Sequence, residues 1–229
     1  MLTCATWQDL PDLRHGFLDA AACRGVEDWA SVVAPLTGGD RPVVTLRQVH
    51  GNRVVTAEEC LGAISKPEAD AVVTGMRGIA VGVVTADCVP VLLLARRTRV
   101  VAAVHAGWRG TAAGVIEAAL AHLHARFGVA PPALEACLGP AIGPCCYRVG
   151  PEVQLAFTRR TGDTTAAAWS QVRGALSLDL RHAIRSLLAA AGVRAIETVG
   201  PCTACDSAFC SYRRDGQGAG RQLSFIAWV

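Results

Sequence analysis

The stretch VVAAVHAGWRGTAAGVIEAALAHLHARFG, residues 100–128, contains the pattern that decides the fold. It begins with the aliphatic run Val100–Val104, which is typical of a buried β-strand. A glycine-containing loop follows over residues 105–110, and Thr111 is suitably placed to cap a helix. Apolar residues then repeat at helical spacing up to Gly128: Val115, Ile116, Ala119, Leu120 and Leu123. The stretch therefore predicts a strand, a loop and a helix in succession.

Working outward, the first half of the chain is rich in predicted strands. Gly, Pro, Asp or Arg residues bound four further apolar runs: Val43–Leu46, Ala71–Val73, Ile79–Val84 and Val89–Leu94. The most apolar window, residues 78–95, has Asp87 at its middle, where a carboxylate in a bilayer would cost about 2.5–3.5 kcal/mol. This window therefore predicts two buried strands around a turn rather than a membrane span.

The second half is predicted to mix helices and strands. One helix begins near Pro151, and another runs from about Asp179 to Gly192. The sequence contains a weak internal repeat: twice, a cysteine follows a helix, a Gly-Val pair, an apolar strand and a Gly-Pro pair. The spacings within the two copies differ. No linker or low-complexity stretch divides the chain, so residues 1–229 are predicted to form one α/β domain with strands between helical layers.

Composition restricts the class of protein. The 229 residues are 52% hydrophobic and 18% charged, which excludes disordered, coiled-coil and fibrous chains. The net charge of +3 is spread without runs of either sign, so nucleic acid is not an expected partner. The start of the chain lacks the apolar stretch of a secretory signal, and we expect a cytoplasmic protein without a membrane segment. Its ten cysteines are then expected to be thiols or metal ligands rather than disulfides.

Three potential metal ligands stand at the ends of predicted strands: His50, Cys88 and His105. Two imidazoles and a thiolate suit zinc, and three protein ligands leave a fourth position open, as in catalytic sites. The separations of 38 and 17 residues match no local metal-binding signature. The residues alone therefore do not bring these ligands together.

Six segments together resemble the YfiH family, also called the laccase-domain or polyphenol oxidase family: RQVHG, ADAVVT, TADCVPVLL, VHAGWRGTAAGV, GPAIGPCCY and SYRRDG with GRQ, all between residues 47 and 222. The resemblance implies a single α/β/β/α domain and zinc held by His50, Cys88 and His105. It also implies purine nucleoside phosphorylase and adenosine deaminase activities. Cys210 departs from the family, which more often has an aromatic residue beside Phe209.

Three further residues are candidates for catalysis or substrate binding. Asp87, beside Cys88, is predicted to orient water or move its proton, although an Asp before a turn is also a common cap. Arg109 precedes the predicted helix, so its guanidinium and the first helical amides are expected to hold phosphate. Arg47 is a second candidate anion contact, with a surface ion pair as the alternative.

The remaining cysteines give weaker predictions. Cys146 lies in a family motif and is a candidate catalytic pocket residue, although no neighbouring base is apparent. Cys202 and Cys205 form a C-x-x-C pair, but Cys145 and Cys146 do not supply the second pair of a zinc ribbon. A structural role is therefore favoured for Cys202 and Cys205.

The leading hypothesis is a zinc enzyme that cleaves purine nucleosides with phosphate and deaminates adenosine. A copper-dependent phenol oxidase is the alternative, although six histidines supply a multicopper centre poorly. A third hypothesis, also attached to the family, is an accessory factor in peptidoglycan editing.

Overall fold

The computed structural model describes residues 1–39 and 41–229. Its strands are β1 Leu13–Phe17, β2 Val43–Val44, β3 Val54–Thr56, β4 Ala71–Thr74, β5 Ala80–Thr85, β6 Val89–Ala95, β7 Val100–Ala106, β8 Glu135–Leu138, β9 Trp169–Val172, β10 Ala175–Leu178, β11 Ala195–Thr198 and β12 Gln222–Trp228. Its α-helices are α1 Trp29–Thr37, α2 Ala57–Leu61, α3 Trp108–Ala113, α4 Val115–Phe127, α5 Pro151–Thr161, α6 Leu180–Ala190 and α7 Tyr212–Asp215. Short 3-10 helices cover Ala5–Trp7, Pro131–Ala133, Gly162–Ala168 and Gly216–Gly218.

Two mixed β-sheets occupy the centre of the molecule. The four-stranded sheet has the order β1-β12-β5-β2, and the six-stranded sheet has the order β11-β8-β6-β7-β4-β3. In the larger sheet β6 and β7 pair antiparallel, whereas β8 and β11 pair parallel at one edge. The hairpin β9-β10 stands apart from both sheets.

Successive side chains of a strand point to opposite faces of its sheet, so each sheet packs against a different layer on each side. In β7, Val101 and Ala103 face a core shared with the four-stranded sheet, whereas Val100, Ala102 and Val104 face a core shared with α4, α5 and α6. The outer face of the four-stranded sheet packs against Val33 of α1. This order of helix, sheet, sheet and helices confirms the α/β/β/α fold.

Most of the predicted elements are present. The apolar runs correspond to β2, β4, β5, β6 and β7, and the residue 78–95 window contains the two strands expected there. Pro151 is the first residue of α5, and the Asp179 carboxylate caps α6 by accepting the His182 N–H at 2.9 Å. Within residues 1–39 and 41–229, every helix is too short or too polar to cross a bilayer.

The helix after β7 begins earlier than predicted. Its N-cap is Gly107 rather than Thr111, whose hydroxyl lies inside α3 and donates to the Gly107 carbonyl at 2.8 Å. Gly114, with φ 90°, then separates α3 from α4. Arg109 therefore lies within the first turn of a six-residue helix and does not precede a long one.

Candidate metal centre

Three chain segments deliver His50, Cys88 and His105 to one place. His50 lies between β2 and β3, and Cys88 lies where the chain crosses from β5 in the four-stranded sheet to β6 in the six-stranded sheet. His105 lies in β7 and is buried. One potential ligand atom of each residue lies within 4.8 Å of the others, and the two imidazole centroids are 4.8 Å apart. The fold therefore supplies the proximity that the sequence separations do not indicate.

Asp70 organises this centre from below. Its fully buried carboxylate accepts the backbone N–H groups of Val49 at 3.2 Å, His50 at 2.9 Å and Gly51 at 2.7 Å. It also lies 2.8 Å from His105 Nδ1, a hydrogen bond that leaves Nε2 available for a metal. Asp70 belongs to no motif that marks it as a site residue in the sequence. The available signal was a charged residue directly before the wholly buried strand β4.

Backbone geometry allows the segments to approach closely. A Cβ atom on Gly107 would lie 2.9 Å from Cys88 Sγ and 3.1 Å from His50 Cδ2, and one on Gly110 would lie 2.8 Å from the Gly51 carbonyl oxygen. His50 has φ 60° and Asp87 has φ 85°, a left-handed region that most side chains avoid. Such strained residues concentrate at functional sites.

The electrostatics of the centre favour a bound cation. Burial opposes ionisation of the Cys88 thiol, but hydrogen bonds with His105 and His50 lower its pKa to about 6. Burial likewise disfavours a charged His105, yet its hydrogen bonds with Asp70 and Cys88 raise its pKa to about 9. Asp70 is also buried, and its contacts with His105 and with the backbone N–H groups hold its pKa below the ordinary value. A thiolate and a carboxylate thus surround the imidazoles, and this nitrogen and sulfur donor set fits zinc.

A cavity of about 570 Å³ opens above the three ligands. Its wall combines aromatic, apolar and charged side chains: Leu46, Gln48, His50, Val84, Thr85, Ala86, Asp87, Cys88, His105, Trp108, Arg109, Ile142, Tyr147, Tyr212, Arg213 and Arg221. Among the described residues, three arginines and one carboxylate line the cavity. The excess of positive charge favours a negatively charged ligand.

Asp87 is held firmly at the edge of this cavity. One carboxylate oxygen accepts the Thr203 hydroxyl at 2.7 Å, and the other accepts the Arg213 backbone N–H at 2.6 Å. A carboxylate has about four acceptor positions, so capacity remains for a ligand. The sequence did not predict Thr203 or Arg213, although the SYRRDG segment contains Arg213.

The two predicted anion contacts have different surroundings. Arg109 lines the cavity, and its guanidinium carbon lies 4.5 Å from the centre of the Trp108 ring. Among the described residues, the Arg109 guanidinium has no salt bridge, so it is available to a ligand. Arg47 lies outside the cavity wall and pairs with Glu68 at 3.0 Å, both side chains being exposed. The surface ion pair considered as the alternative for Arg47 is therefore what the structure contains.

Cys146 is not among the residues that line the cavity. Its thiol lies in a group with those of Cys145, Cys202 and Cys205. The expectation that Cys146 lines the catalytic pocket is corrected accordingly. Cys145 and Cys146 do not have C-x-x-C spacing, yet two separate turns bring their thiols together with those of Cys202 and Cys205.

Comparison with known proteins gives a consistent result. A family described as "Multi-copper polyphenol oxidoreductase laccase" matches residues 24–229. The chain is 39% identical over 218 residues to a purine nucleoside phosphorylase from Xylella fastidiosa (strain Temecula1), covering 92% of this chain and 80% of the relative. It is 36% identical over 195 residues to adenosine deaminase RL5 from an unknown prokaryotic organism, covering 80% and 74%.

A solved structure agrees with these sequence matches. The crystal structure of a Neisseria meningitidis protein superimposes with a TM-score of 0.79 at 33% sequence identity and covers 95% of both chains. The shared fold and the extent of the sequence matches lead to one conclusion. The chain belongs to the YfiH family of laccase-domain proteins.

Proposed function

We propose that this protein is a zinc-dependent enzyme that cleaves purine nucleosides with phosphate and also deaminates adenosine by hydrolysis. The observation that carries the proposal is the convergence of His50, Cys88 and His105 at the base of a cavity of about 570 Å³. A cavity of this size can enclose a nucleoside. The names of relatives at 36–39% identity support this choice of substrates.

The ligands would hold zinc in the manner of a catalytic site. Zinc bound by two imidazoles and one thiolate supplies a Lewis acid with an open fourth coordination position. Asp70 would keep the His105 ring oriented, because it already accepts the Nδ1–H hydrogen bond at 2.8 Å.

Side chains around the centre would divide the remaining tasks. Asp87, fixed by Thr203 and the Arg213 backbone, would accept a proton at an acceptor position that these two hydrogen bonds leave free. Arg109 would bind phosphate, because its guanidinium faces the cavity without a competing salt bridge among the described residues. Trp108 and the other aromatic residues of the wall offer surfaces on which a purine ring can stack.

A copper-dependent phenol oxidase is the second candidate, because the matching family is described as a multicopper laccase. The positions of the histidines weigh against several coppers. In the part of the chain that the structure describes, His50 and His105 are the imidazoles that share a candidate metal site. His15 is buried elsewhere, where its Nε2 accepts the Cys4 N–H at 3.0 Å. The donors therefore suit one metal ion at this cavity.

Product analysis with controlled metal content tests the proposal. The purified protein is stripped of metal, reloaded with zinc alone or copper alone, and given inosine with phosphate or adenosine. With zinc, mass spectrometry should detect hypoxanthine and ribose 1-phosphate from inosine, and inosine from adenosine. Intact nucleosides with both metals, together with copper-dependent oxygen consumption on phenols, would replace the proposal with the oxidase alternative.

The role of Arg109 is tested by comparing two arginine variants. Arg109→Ala should raise the phosphate KM of phosphorolysis by about 10-fold or more, the scale of one lost charged hydrogen bond, and affect deamination less. Arg47→Ala is the matched control, because this residue lies outside the cavity wall. Equal losses in both reactions of Arg109→Ala would instead assign Arg109 a general role in nucleoside binding or folding.

A further inference from the structure

Four cysteine thiols meet outside the cavity just described, in a group made of Cys145, Cys146, Cys202 and Cys205. The Sγ atoms of these four residues all lie within 4.8 Å of one another. We propose that these four residues form a second metal site, a zinc tetrathiolate that joins the loop after β8 to the loop after β11. Such a site is separate from the His50, Cys88 and His105 centre, with which it shares no ligand.

Two tight turns prepare the ligands. In the first, the backbone N–H groups of Cys146 and Tyr147 both donate to the Gly143 carbonyl at 3.0 Å, and this turn directs two consecutive thiols to one side. In the second, the N–H groups of Cys205 and Asp206 both donate to the Cys202 carbonyl at 3.1 Å. This second turn gives the C-x-x-C pair the compact form that zinc sites use.

Adjacent strands hold the two turns against each other. β8 and β11 lie side by side and parallel, so the chain leaves both strands at the same edge of the sheet. The pairing continues beyond the strands as a bridge between Ala141 and Cys202, and the Thr203 N–H donates to the Ala141 carbonyl at 3.1 Å. The loops are therefore fixed relative to one another independently of any metal.

The distances between the thiols suit a tetrahedral metal. The Sγ atom of Cys205 lies 3.6 Å from that of Cys145 and 3.4 Å from that of Cys146. Zinc with four sulfur ligands at ~2.3 Å places the sulfur atoms ~3.8 Å apart. Shifts of the sulfur atoms by up to about one ångström would thus complete the coordination.

Gly143 lies directly against two of these cysteines. A Cβ atom at this position would make a tight contact of 3.2 Å with Cys202 Cβ and ordinary contacts of 3.4 Å with Cys145 Sγ and 3.5 Å with Cys202 Sγ. The Gly143 N–H donates to Cys202 Sγ at 3.1 Å, the type of hydrogen bond that stabilises a thiolate ligand. Four thiolates complete the coordination of zinc, so this site would be structural, unlike the three-ligand centre.

The proposed site adjoins one residue of the cavity wall and one residue that holds Asp87. Tyr147 lines the cavity and follows Cys146 directly, and Thr203, which donates to Asp87, follows Cys202. The Arg213 guanidinium donates to the Cys146 carbonyl at 2.8 Å. A zinc ion would therefore add a second connection, beside the backbone bridge, between the loops that carry Tyr147 and Thr203.

Zinc counting on the full-length protein tests the site. The protein is purified without chelator, equilibrated with zinc and desalted, and zinc per chain is measured by mass spectrometry. Cys202→Ser and Cys205→Ser should each contain one zinc ion fewer per chain than the parent. Cys60→Ser is the matched control, because Cys60 belongs to neither candidate metal site. This variant should keep the parental zinc content. Unchanged zinc in both Cys202→Ser and Cys205→Ser would overturn the proposal, whether or not the first centre is filled.

Cobalt substitution provides a readout that needs no loss of a ligand. Co²⁺ added to the metal-free parent should give intense thiolate-to-cobalt charge-transfer absorption, most of which persists in Cys88→Ser because that variant keeps all four thiols of the second site. Loss of nearly all of this absorption in Cys88→Ser would refute the proposal. A disulfide among the four cysteines, found by peptide mapping of the protein as purified, would also refute it.

Discussion

Replacing Asp70 with asparagine removes the charge beneath the candidate metal centre with little change in shape. The carboxylate accepts hydrogen bonds from Val49, His50 and Gly51 and from His105 Nδ1. Asparagine keeps one acceptor oxygen and replaces the other with an NH₂ donor. Two of the four donors therefore lose their acceptor, whichever way the amide is oriented.

The expected loss of stability follows from these contacts. A buried donor without a partner costs about 1–3 kcal/mol. The bond from Val49 is the longest of the four, at 3.2 Å, so its loss is expected to cost the least. In the orientation that sacrifices the Val49 and Gly51 bonds, one donor carries most of the cost. We expect the unfolding free energy of metal-free Asp70→Asn to fall by about 1–3 kcal/mol.

Zinc binding should weaken in the same variant. Asp70 orients the His105 ring and fixes the backbone of His50, and loss of such support typically lowers metal affinity by about 10–100-fold. Urea unfolding with a chelator present measures stability, and competition with a chromophoric chelator measures zinc affinity. Glu68→Gln is the control, because its exposed pair with Arg47 should contribute at most about 1 kcal/mol. An Asp70→Asn protein with parental stability and zinc affinity within about threefold of the parent would refute the role assigned to Asp70.

Three further predictions concern other parts of the molecule. Gly107→Ala should weaken zinc binding by at least about 10-fold, because the added Cβ would lie 2.9 Å from Cys88 Sγ. Gly62→Ala is the control, since its Cβ would meet no atom within 4 Å, and it should bind zinc as the parent does. Equal zinc affinities of the two variants would contradict this prediction. Burial lowers the pKa of His15, so below about pH 6.5 this residue binds more protons in the unfolded chain than in the folded one. The unfolding free energy should therefore be full above that pH and decline below it. His15→Gln should reduce this slope in urea unfolding measured from pH 7 to pH 5. An unaltered slope would exclude His15 as its source. Asp179→Ala should lower the unfolding free energy by about 0.5–2 kcal/mol through loss of the α6 cap, and a change below about 0.3 kcal/mol would show that the cap contributes little.

The accuracy of the fold prediction depended on how each strand is buried. β6 and β7 are covered on both faces and therefore consist of continuous aliphatic residues, which are easily recognised. β12 is equally buried, yet it contains Gln222 and Ser224 and was not predicted. The Gln222 side chain accepts the Cys210 N–H at 2.7 Å, so a tertiary contact compensates its burial. A single sequence does not reveal such a partner.

The candidate site was predictable only in part for a similar reason. His50, Cys88 and His105 are residue types with evident metal chemistry, and the family resemblance grouped them. Asp70 and Thr203 act through hydrogen bonds to other site residues, and those bonds exist only after distant segments have met. Arg47 and Arg109 look alike in sequence, but one lies beside Glu68 and the other at the cavity. Their difference comes entirely from tertiary structure.

The weak internal repeat of the sequence has a structural counterpart. Its two passages lead into β8 and β11, which are adjacent and parallel, and each is followed by a Gly-Pro pair and a cysteine-containing turn. Because the spacings after the Gly-Pro pairs differ, the two turns are not copies. One presents consecutive thiols and the other presents a C-x-x-C pair. Two unlike turns at neighbouring positions of one sheet edge can thus surround a single metal ion, although neither turn alone matches a zinc-ribbon spacing.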